Sequence, residues 1–254
     1  MMTKEYLARF AGIARLYGLD CLERLSRSRV WLVGVGGVGS WTCEALARGG
    51  VGFLRLIDCD CVCESNINRQ LCALGSTLGQ PKVEVLSARA REINPWATIE
   101  TRQFFVTEET AGTLFESEKP DLLVDAIDGV VNKAALIAAC RDASVPVVSS
   151  GGCAGKRDAA RVERGDLSET QNDNLLKFVR RTLRSRYAFP KSGAPMNVPC
   201  VFSRELSRAA IENADVPAIF SPAGGKARPG TAAWVTGAFG LALAQLAVER
   251  LLDL

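Results

Sequence analysis

A glycine-rich turn between an apolar strand and a helix limits the possible folds of this chain more than any other feature. An apolar run over residues 29–35 leads into the turn, a helical stretch covers residues 38–48, and a second apolar run covers residues 53–57. This order predicts a β-α-β unit. The four glycines of the turn are Gly34, Gly36, Gly37 and Gly39.

The spacing of these glycines is the G-x-G-x-x-G pattern, and Asp58 follows the last of them by 19 positions, at the end of the second strand. Glycines allow phosphate to approach the backbone, the helix N-terminus attracts its charge, and a carboxylate accepts hydrogen bonds from ribose hydroxyls. The pattern therefore predicts an adenine nucleotide site. It fits both an NAD-dependent oxidoreductase and an ATP-using adenylating enzyme.

Strands and helices continue to alternate up to residue 150, which predicts an α/β fold with a doubly wound, mainly parallel, Rossmann-like sheet and a small C-terminal extension. We expect an N-terminal helical segment over 1–28, broken at Gly12 and Gly18, a nucleotide-binding domain over 29–155, and a basic extension over 156–254. The further predicted helices are 82–93, one beginning near 107, 133–143, 174–186 and 232–252, and the further strands are 98–105, 122–125, 145–149 and 201–202.

The composition excludes several classes of catalyst, because the chain has no histidine. A Ser-His-Asp triad, a Cys-His protease and an H-E-x-x-H metal site are all impossible. The nine cysteines form no Cys-x-x-Cys pair, so we expect no structural zinc. Their odd number, and charged residues among the first ten, favour a reducing, cytoplasmic compartment over a secreted one.

The apolar stretch 231–248 is long enough to raise the question of a membrane span. Thr236 and Gln245 interrupt it, and its glycines and alanines make it weakly hydrophobic. We therefore expect a buried core or dimer helix and no membrane span.

Three charged residues downstream of Asp58 favour ATP over a nicotinamide cofactor. Attack on the α-phosphate develops negative charge, which Arg69, Lys82 and a Mg²⁺ ion on Asp128 are suited to hold. Asp128 follows a strand, where the ligands of such sheets bind. Taken singly, Arg69 and Lys82 are equally compatible with surface charges, and Asp128 with a helix cap.

With these residues in place, the chain resembles the ATP-dependent adenylating enzymes related to ubiquitin-activating enzyme and to the bacterial activators of sulfur-carrier proteins. The resemblance covers roughly residues 5–155. It is more specific to the tRNA threonylcarbamoyladenosine dehydratase branch, which, unlike the sulfur-carrier activators, lacks two Cys-x-x-Cys pairs. The motifs that carry this second similarity lie at 9–10, 14–18, 36–41, 44–48, 66–70, 93–95, 134–137 and 200–203.

The resemblance implies roles for the matching positions. Asp58 would bind the ribose, Arg69 and Lys82 the phosphates, and Asp128 the Mg²⁺ ion. In the wider family an N-terminal Arg-x-x-Arg reaches the ATP site of a neighbouring subunit; here Gly12 occupies its second position, so Arg9 or Arg15 would serve, and we take Arg15 as the candidate. The ATP-binding set is completed by the four glycines, Asn66, Asn68 and Gln70.

The same resemblance implies an activity: ATP-dependent dehydration of threonylcarbamoyladenosine in the tRNA anticodon loop, through an acyl-adenylate, to a cyclic oxazolone. It also implies a homodimer and a possible cysteine desulfurase partner. The alternatives are an adenylyltransferase for a sulfur-carrier or ubiquitin-like protein and, less favoured, a nicotinamide oxidoreductase.

A basic tract and one cysteine complete the candidate residues. Residues 174–204 contain seven basic and no acidic side chains, of which Lys177, Arg180, Arg181 and Arg184 share one face of the predicted helix and suit tRNA phosphates. A merely solvated helix is the alternative. Cys200 is a candidate reactive thiol, although a buried small side chain is the commoner role for a free cysteine.

Overall fold

The computed structural model describes residues 2–191, 193–207 and 229–254. Three helices precede the sheet: α1 (Lys4–Arg9), α2 (Ala11–Tyr17) and α3 (Leu19–Arg27). The helical segment breaks at Phe10 and Gly18, whereas the predicted break at Gly12 is wrong. Gly12 is tolerated inside α2 at a modest propensity cost, while Phe10 is buried against Tyr6 and turns the chain there.

A seven-stranded sheet forms the centre of the molecule, with the strand order β3-β2-β1-β4-β5-β7-β6. All neighbouring strands pair in parallel except β6 and β7, which confirms the α/β, doubly wound, mainly parallel fold. The strands are β1 (Arg29–Val33), β2 (Phe53–Ile57), β3 (Thr98–Arg102), β4 (Leu122–Asp125), β5 (Val147–Ser150), β6 (Val162–Asp166) and β7 (Pro199–Ser203).

Helices cover both faces of the sheet, and each face has its own apolar core. The helices are α4 (Gly39–Arg48), α5 (Lys82–Ile93), α6 (Val130–Asp142), α7 (Asn174–Arg186) and α8 (Ala233–Leu252). One core contains side chains of α4, α5 and α8, and the other contains side chains of α6 and α7.

The segment after β3 differs most from its prediction. No α-helix forms near Thr107, although the local helix-start signal is present: the Thr107 hydroxyl accepts from Thr110 N at 3.3 Å and the Thr110 hydroxyl accepts from Thr107 N at 2.9 Å, as in a capping box. Ala111 N donates to Thr107 O at 3.0 Å, so one turn forms, but Gly112 is a poor helix former and only a 3-10 turn, Gly112–Phe115, follows. Strand β3 also ends at Arg102, where its partner β2 ends, instead of reaching residue 105.

Helix α8 is long and apolar enough to cross a membrane, judged by length and composition alone. In this fold 61% of its apolar stretch is buried. It packs closely on α4: the Thr42 hydroxyl donates to Gly240 O at 3.0 Å, and a Cβ added at Gly240 would lie 2.6 Å from Trp41 Cβ. This contact brings the start of α8, with Thr236, against the glycine turn.

Candidate functional site

The loops that follow β1, β2 and β4 meet at the carboxyl edge of the sheet and form the candidate nucleotide site. Gly34 has φ +84°, and a Cβ there would lie 2.9 Å from the Ala126 carbonyl, in the loop after β4. A Cβ at Gly39 would lie 1.9 Å from Gly34 O. Both positions therefore require glycine, and the phosphate-binding turn is held directly against the loop that carries Asp128.

The Asp58 side chain links the loop after β2 to the glycine turn through hydrogen bonds. Its Oδ2 accepts a hydrogen bond from Val35 N at 2.7 Å, and its Oδ1 accepts one from Asp60 N at 2.9 Å. Each oxygen accepts only one of these bonds and so keeps a lone pair, which a further donor can reach because the side chain is only half-buried. The carboxylate thus has the place and the capacity that ribose recognition requires.

Lys82, the first residue of α5, has a partner that the sequence reasoning missed. Its Nζ lies 2.7 Å from Asp60 Oδ2, and its backbone N–H donates to Asp60 O at 3.0 Å. The hydrogen bond and charge of Lys82 lower the pKa of Asp60. Lys82 is buried while Asp60 is exposed, so a phosphate can take the place of the carboxylate without exposing the ammonium. The only sequence feature that pointed to this ion pair was the position of Asp60, two residues after Asp58.

Residues 66–70 lie beside the glycine turn. Asn66 is buried and its Oδ1 accepts a hydrogen bond from Cys63 N at 3.2 Å, which gives it a role in shaping the loop. Asn68 Nδ2 donates to Thr231 O at 2.8 Å. Gln70 Nε2 lies 3.7 Å from the position of a Cβ added at Gly36, and Arg69 approaches Gly37 to 3.8 Å through its Cγ only. The Arg69 guanidinium instead donates to Ser65 O and, at 3.1 Å, to Asn68 Oδ1. The structure therefore brings the Gln70 amide to the predicted phosphate site, whereas the Arg69 charge would have to leave these two acceptors to reach it.

Asp128 lies in the loop after β4, and the alternative role of helix cap is wrong. The N-cap of α6 is Gly129, and no side chain caps that helix. The Asp128 carboxylate is exposed and accepts no hydrogen bond from the residues that the structure describes. Two available carboxylate oxygens beside a phosphate-binding turn fit the oxygen ligands that Mg²⁺ prefers.

The two N-terminal arginines differ in their contacts. Arg9 Nη1 donates to the carbonyls of Glu92 and Ile93, each at 3.0 Å, and its guanidinium lies over the Trp96 ring. Arg9 therefore caps the C-terminus of α5 in its own chain. Arg15 is exposed on α2 and remains the candidate for a site in a neighbouring subunit.

Four of the five basic residues of α7 line one open hollow, as their spacing predicts, but Lys177, Arg180, Arg181 and Arg184 are not equivalent. Arg180 is half-buried and donates to Leu167 O at 3.1 Å and to the Thr170 hydroxyl, and Arg184 Nε donates to Pro190 O at 3.0 Å. These contacts anchor the helix. Lys177 and Arg181 are exposed, so they are the side chains available to a polyanion.

Cys200 is fully buried in β7, and its thiol donates to Val198 O at 3.3 Å. Burial raises its pKa well above the usual range for a thiol. A reactive role is therefore not supported, because the nucleophile would be the thiolate.

We expect Cys200→Ala to turn over its substrate within about twofold of the wild-type rate, since a protonated buried thiol contributes packing only. The rate per folded molecule measures this, with the folded fraction taken from circular dichroism. A loss of more than tenfold at unchanged fold would restore Cys200 as a catalytic group.

The site geometry, a glycine turn followed by Asp58, Arg69, Lys82 and Asp128, is that of an adenylating enzyme. A model of the ThiF family matches residues 8–253, and the chain belongs to that family. Within it, the chain belongs to the branch whose members are named tRNA threonylcarbamoyladenosine dehydratase. The relative of that name from Haemophilus influenzae is 39% identical over 252 residues, which cover 98% of this chain and 94% of the relative.

The solved structures agree with this assignment. The Escherichia coli tRNA N6-threonylcarbamoyladenosine dehydratase TcdA in complex with ATP superposes with a TM-score of 0.88 at 35% identity, covering 100% of this chain and 97% of that one. The similarity to the E. coli molybdopterin-synthase adenylyltransferase, 38% identity, extends over only 54% of each chain. The dehydratase branch therefore accounts for the part of the chain after β5 as well.

Proposed function

We propose that this protein dehydrates threonylcarbamoyladenosine in tRNA at the expense of ATP. The threonyl carboxylate attacks the α-phosphate, giving an acyl-adenylate and pyrophosphate. The carbamoyl oxygen then attacks the activated carbonyl, AMP leaves, a carbamoyl N–H releases its proton to water, to AMP or to a carboxylate, and a neutral cyclic oxazolone forms. One water is removed from the nucleoside in total, and its oxygen leaves on AMP.

The absence of histidine is compatible with this chemistry. A carboxylate nucleophile is ionised at neutral pH, so the first step needs orientation and charge neutralisation instead of a general base. Lys82 supplies positive charge at the phosphates, Arg69 adds a second once its guanidinium turns from Ser65 O and Asn68 Oδ1, and Asp58 orients the ribose. A Mg²⁺ ion held by Asp128 would neutralise phosphate charge.

The observation that carries the proposal is the position of α7. Its N-cap residue, Asp173, accepts a hydrogen bond from Gly152 N at 2.8 Å, in the loop after β5. The helix therefore begins at the carboxyl edge of the sheet, where the nucleotide loops also meet. Lys177 and Arg181 extend from that edge, so a tRNA bound along them can present its modified base to ATP.

The proposal is tested by incubating tRNA that carries threonylcarbamoyladenosine with the protein, ATP and Mg²⁺, and analysing the nucleosides by mass spectrometry. Mild digestion keeps the cyclic product intact. We expect an ATP-dependent loss of one water from threonylcarbamoyladenosine. Pyrophosphate release that requires a carrier protein ending in Gly-Gly, with unchanged nucleosides, would support the adenylyltransferase alternative instead.

We further propose a homodimer in which Arg15 acts on the ATP of the neighbouring subunit. Leu16 and Leu19 are exposed on the same segment, at 70% and 59%, and their burial would favour such an interface. Arg9 is held within its own chain, which leaves Arg15 to reach across.

Arg15→Ala and Lys82→Met are each expected to be inactive, but mixed dimers of the two should recover activity. In a mixed dimer, the subunit that keeps Lys82 receives Arg15 from its partner, so one site is complete. With random exchange, about a quarter of the sites are restored. Recovery is measured by pyrophosphate release after co-expression, and an inactive mixture would show that Arg15 acts within its own chain or not at all.

A cytoplasmic location and a cysteine desulfurase partner stay proposals from the family resemblance. All nine cysteines are free, which suits a reducing compartment. Cys59, Cys61 and Cys63 are exposed, so these three thiols, and not Cys200, would be accessible to a sulfur donor.

A further inference from the structure

A fully buried ion pair lies beneath the loop that carries Asp128. Lys133 Nζ, on α6, is 2.9 Å from Asp125 Oδ2, at the end of β4, and both side chains are 0% exposed. Removing two charges from water is costly, so such a pair is weak support for stability alone. The mechanism above uses neither group.

Both members of the pair bind the backbone of Ile127, the residue before Asp128. Asp125 Oδ1 accepts a hydrogen bond from Ile127 N at 3.1 Å, and Lys133 Nζ donates to Ile127 O at 3.0 Å. The two charges therefore hold the N–H and the carbonyl of one residue at the same time.

The opposite side of this loop is fixed as well. Ala126 N donates to Val33 O at 2.8 Å, and the Ala126 carbonyl leaves no space for a Cβ at Gly34. The peptide before Asp128 is thus enclosed between the buried ion pair and the glycine turn. A shift of the pair would move the Asp128 backbone relative to the bound phosphates.

We propose that Asp125 and Lys133 are positioning residues that place the Asp128 carboxylate for a divalent cation bound with ATP. The inference rests on the role proposed for Asp128. It gives a function to a buried pair whose desolvation is costly. The two charges order the loop that carries Asp128, while the Asp128 carboxylate stays free of partners from the described part of the protein.

The variants separate positioning from folding. Asp125→Asn with Lys133→Met removes both charges at similar volume, whereas either change alone would leave one buried charge without a partner. Ser149→Ala is the matched control, because the Ser149 hydroxyl donates to Asp125 Oδ2 at 2.8 Å but does not contact Ile127. If the double variant does not fold, Lys133→Arg replaces it in the same experiment. This change keeps the positive charge but alters the hydrogen bond to Ile127 O.

The readout is Mn²⁺ binding to the full-length protein with ATP, followed by electron paramagnetic resonance, with unfolding curves for each variant. We expect the double variant to weaken Mn²⁺ binding about tenfold, as removal of groups behind a metal ligand commonly does. Ser149→Ala should change it less than about twofold. Asp128→Asn should weaken it in the wild type and add little in the double variant, because both changes disable the same ligand.

Full additivity of Asp128→Asn and the double variant would overturn the inference, since the pair would then act independently of Asp128. Unchanged Mn²⁺ binding in Asp128→Asn alone would overturn the metal role of Asp128, and this inference with it. That outcome differs from failure of the proposed function, which the ATP-dependent loss of water from tRNA reports separately.

Discussion

Lys82→Met should slow transfer of AMP to the substrate carboxylate by about 10²–10³-fold, the usual cost of removing one group that stabilises developing charge. The effect should be large because the Lys82 ammonium is buried at the start of α5 and needs only to exchange its exposed Asp60 partner for a phosphate. Pyrophosphate release at saturating ATP and tRNA measures it.

Asp60→Asn is the matched control for this prediction. It removes the carboxylate partner of Lys82 but keeps the ammonium, so we expect a loss of less than about tenfold, with most of the change in ATP affinity. The pair is exposed on the Asp60 side, at 61%, so neither variant should unfold the protein. Wild-type rates in Lys82→Met would contradict the proposed phosphate role.

Reversing the two exposed charges that line the hollow on α7, with Lys177→Glu and Arg181→Glu, should weaken tRNA binding by about 10–100-fold near 0.1 M salt. The expected cause is the loss of two phosphate contacts, so the slope of log K against log salt should also fall by about one for each contact. Titration of tRNA at several salt concentrations measures both quantities, and ATP affinity should not change.

Arg180 and Arg184 are unsuitable for this test, because they anchor α7 through Leu167, Thr170 and Pro190. Reversing them would disturb the helix itself. Arg250→Glu, an exposed reversal on the last turn of α8, is the charge-matched control for each of the two α7 reversals made singly. An equal loss of tRNA affinity in the control, or a parallel loss of ATP affinity in the double variant, would contradict tRNA binding along α7.

Much of the fold could be predicted because its elements carry local signals. Helix 82–93 has the predicted bounds, since Pro81 precedes it and Asn94-Pro95 stops it. Helix 174–186 is also as predicted, with Asp173 as its N-cap. The segment near Thr107 carries a helix-start signal, in its two glutamates and its reciprocal threonine bonds, but that signal does not set the length, and beyond Gly112 only a 3-10 turn forms.

The candidate site also has a part that the sequence predicts and a part that it does not. Gly34, Asp58 and Asp128 follow strand ends, so alternation alone brings them to one edge of the sheet. The contacts that discriminate between similar residues are tertiary: Asp60 pairs with Lys82 across 22 positions, and Arg9 reaches the end of α5 across 84. Periodicity likewise puts four basic residues on one face of α7 but does not show that two of them bind the protein's own carbonyls.

The central claim is that the carboxylate of the substrate attacks the α-phosphate of ATP. Its most direct test follows a heavy oxygen isotope placed in the carboxylate of threonylcarbamoyladenosine in tRNA. The account predicts that one labelled oxygen appears in AMP, detected by mass spectrometry, as the cyclic nucleoside forms. Label found in inorganic phosphate together with ADP, or in neither nucleotide product, would contradict it.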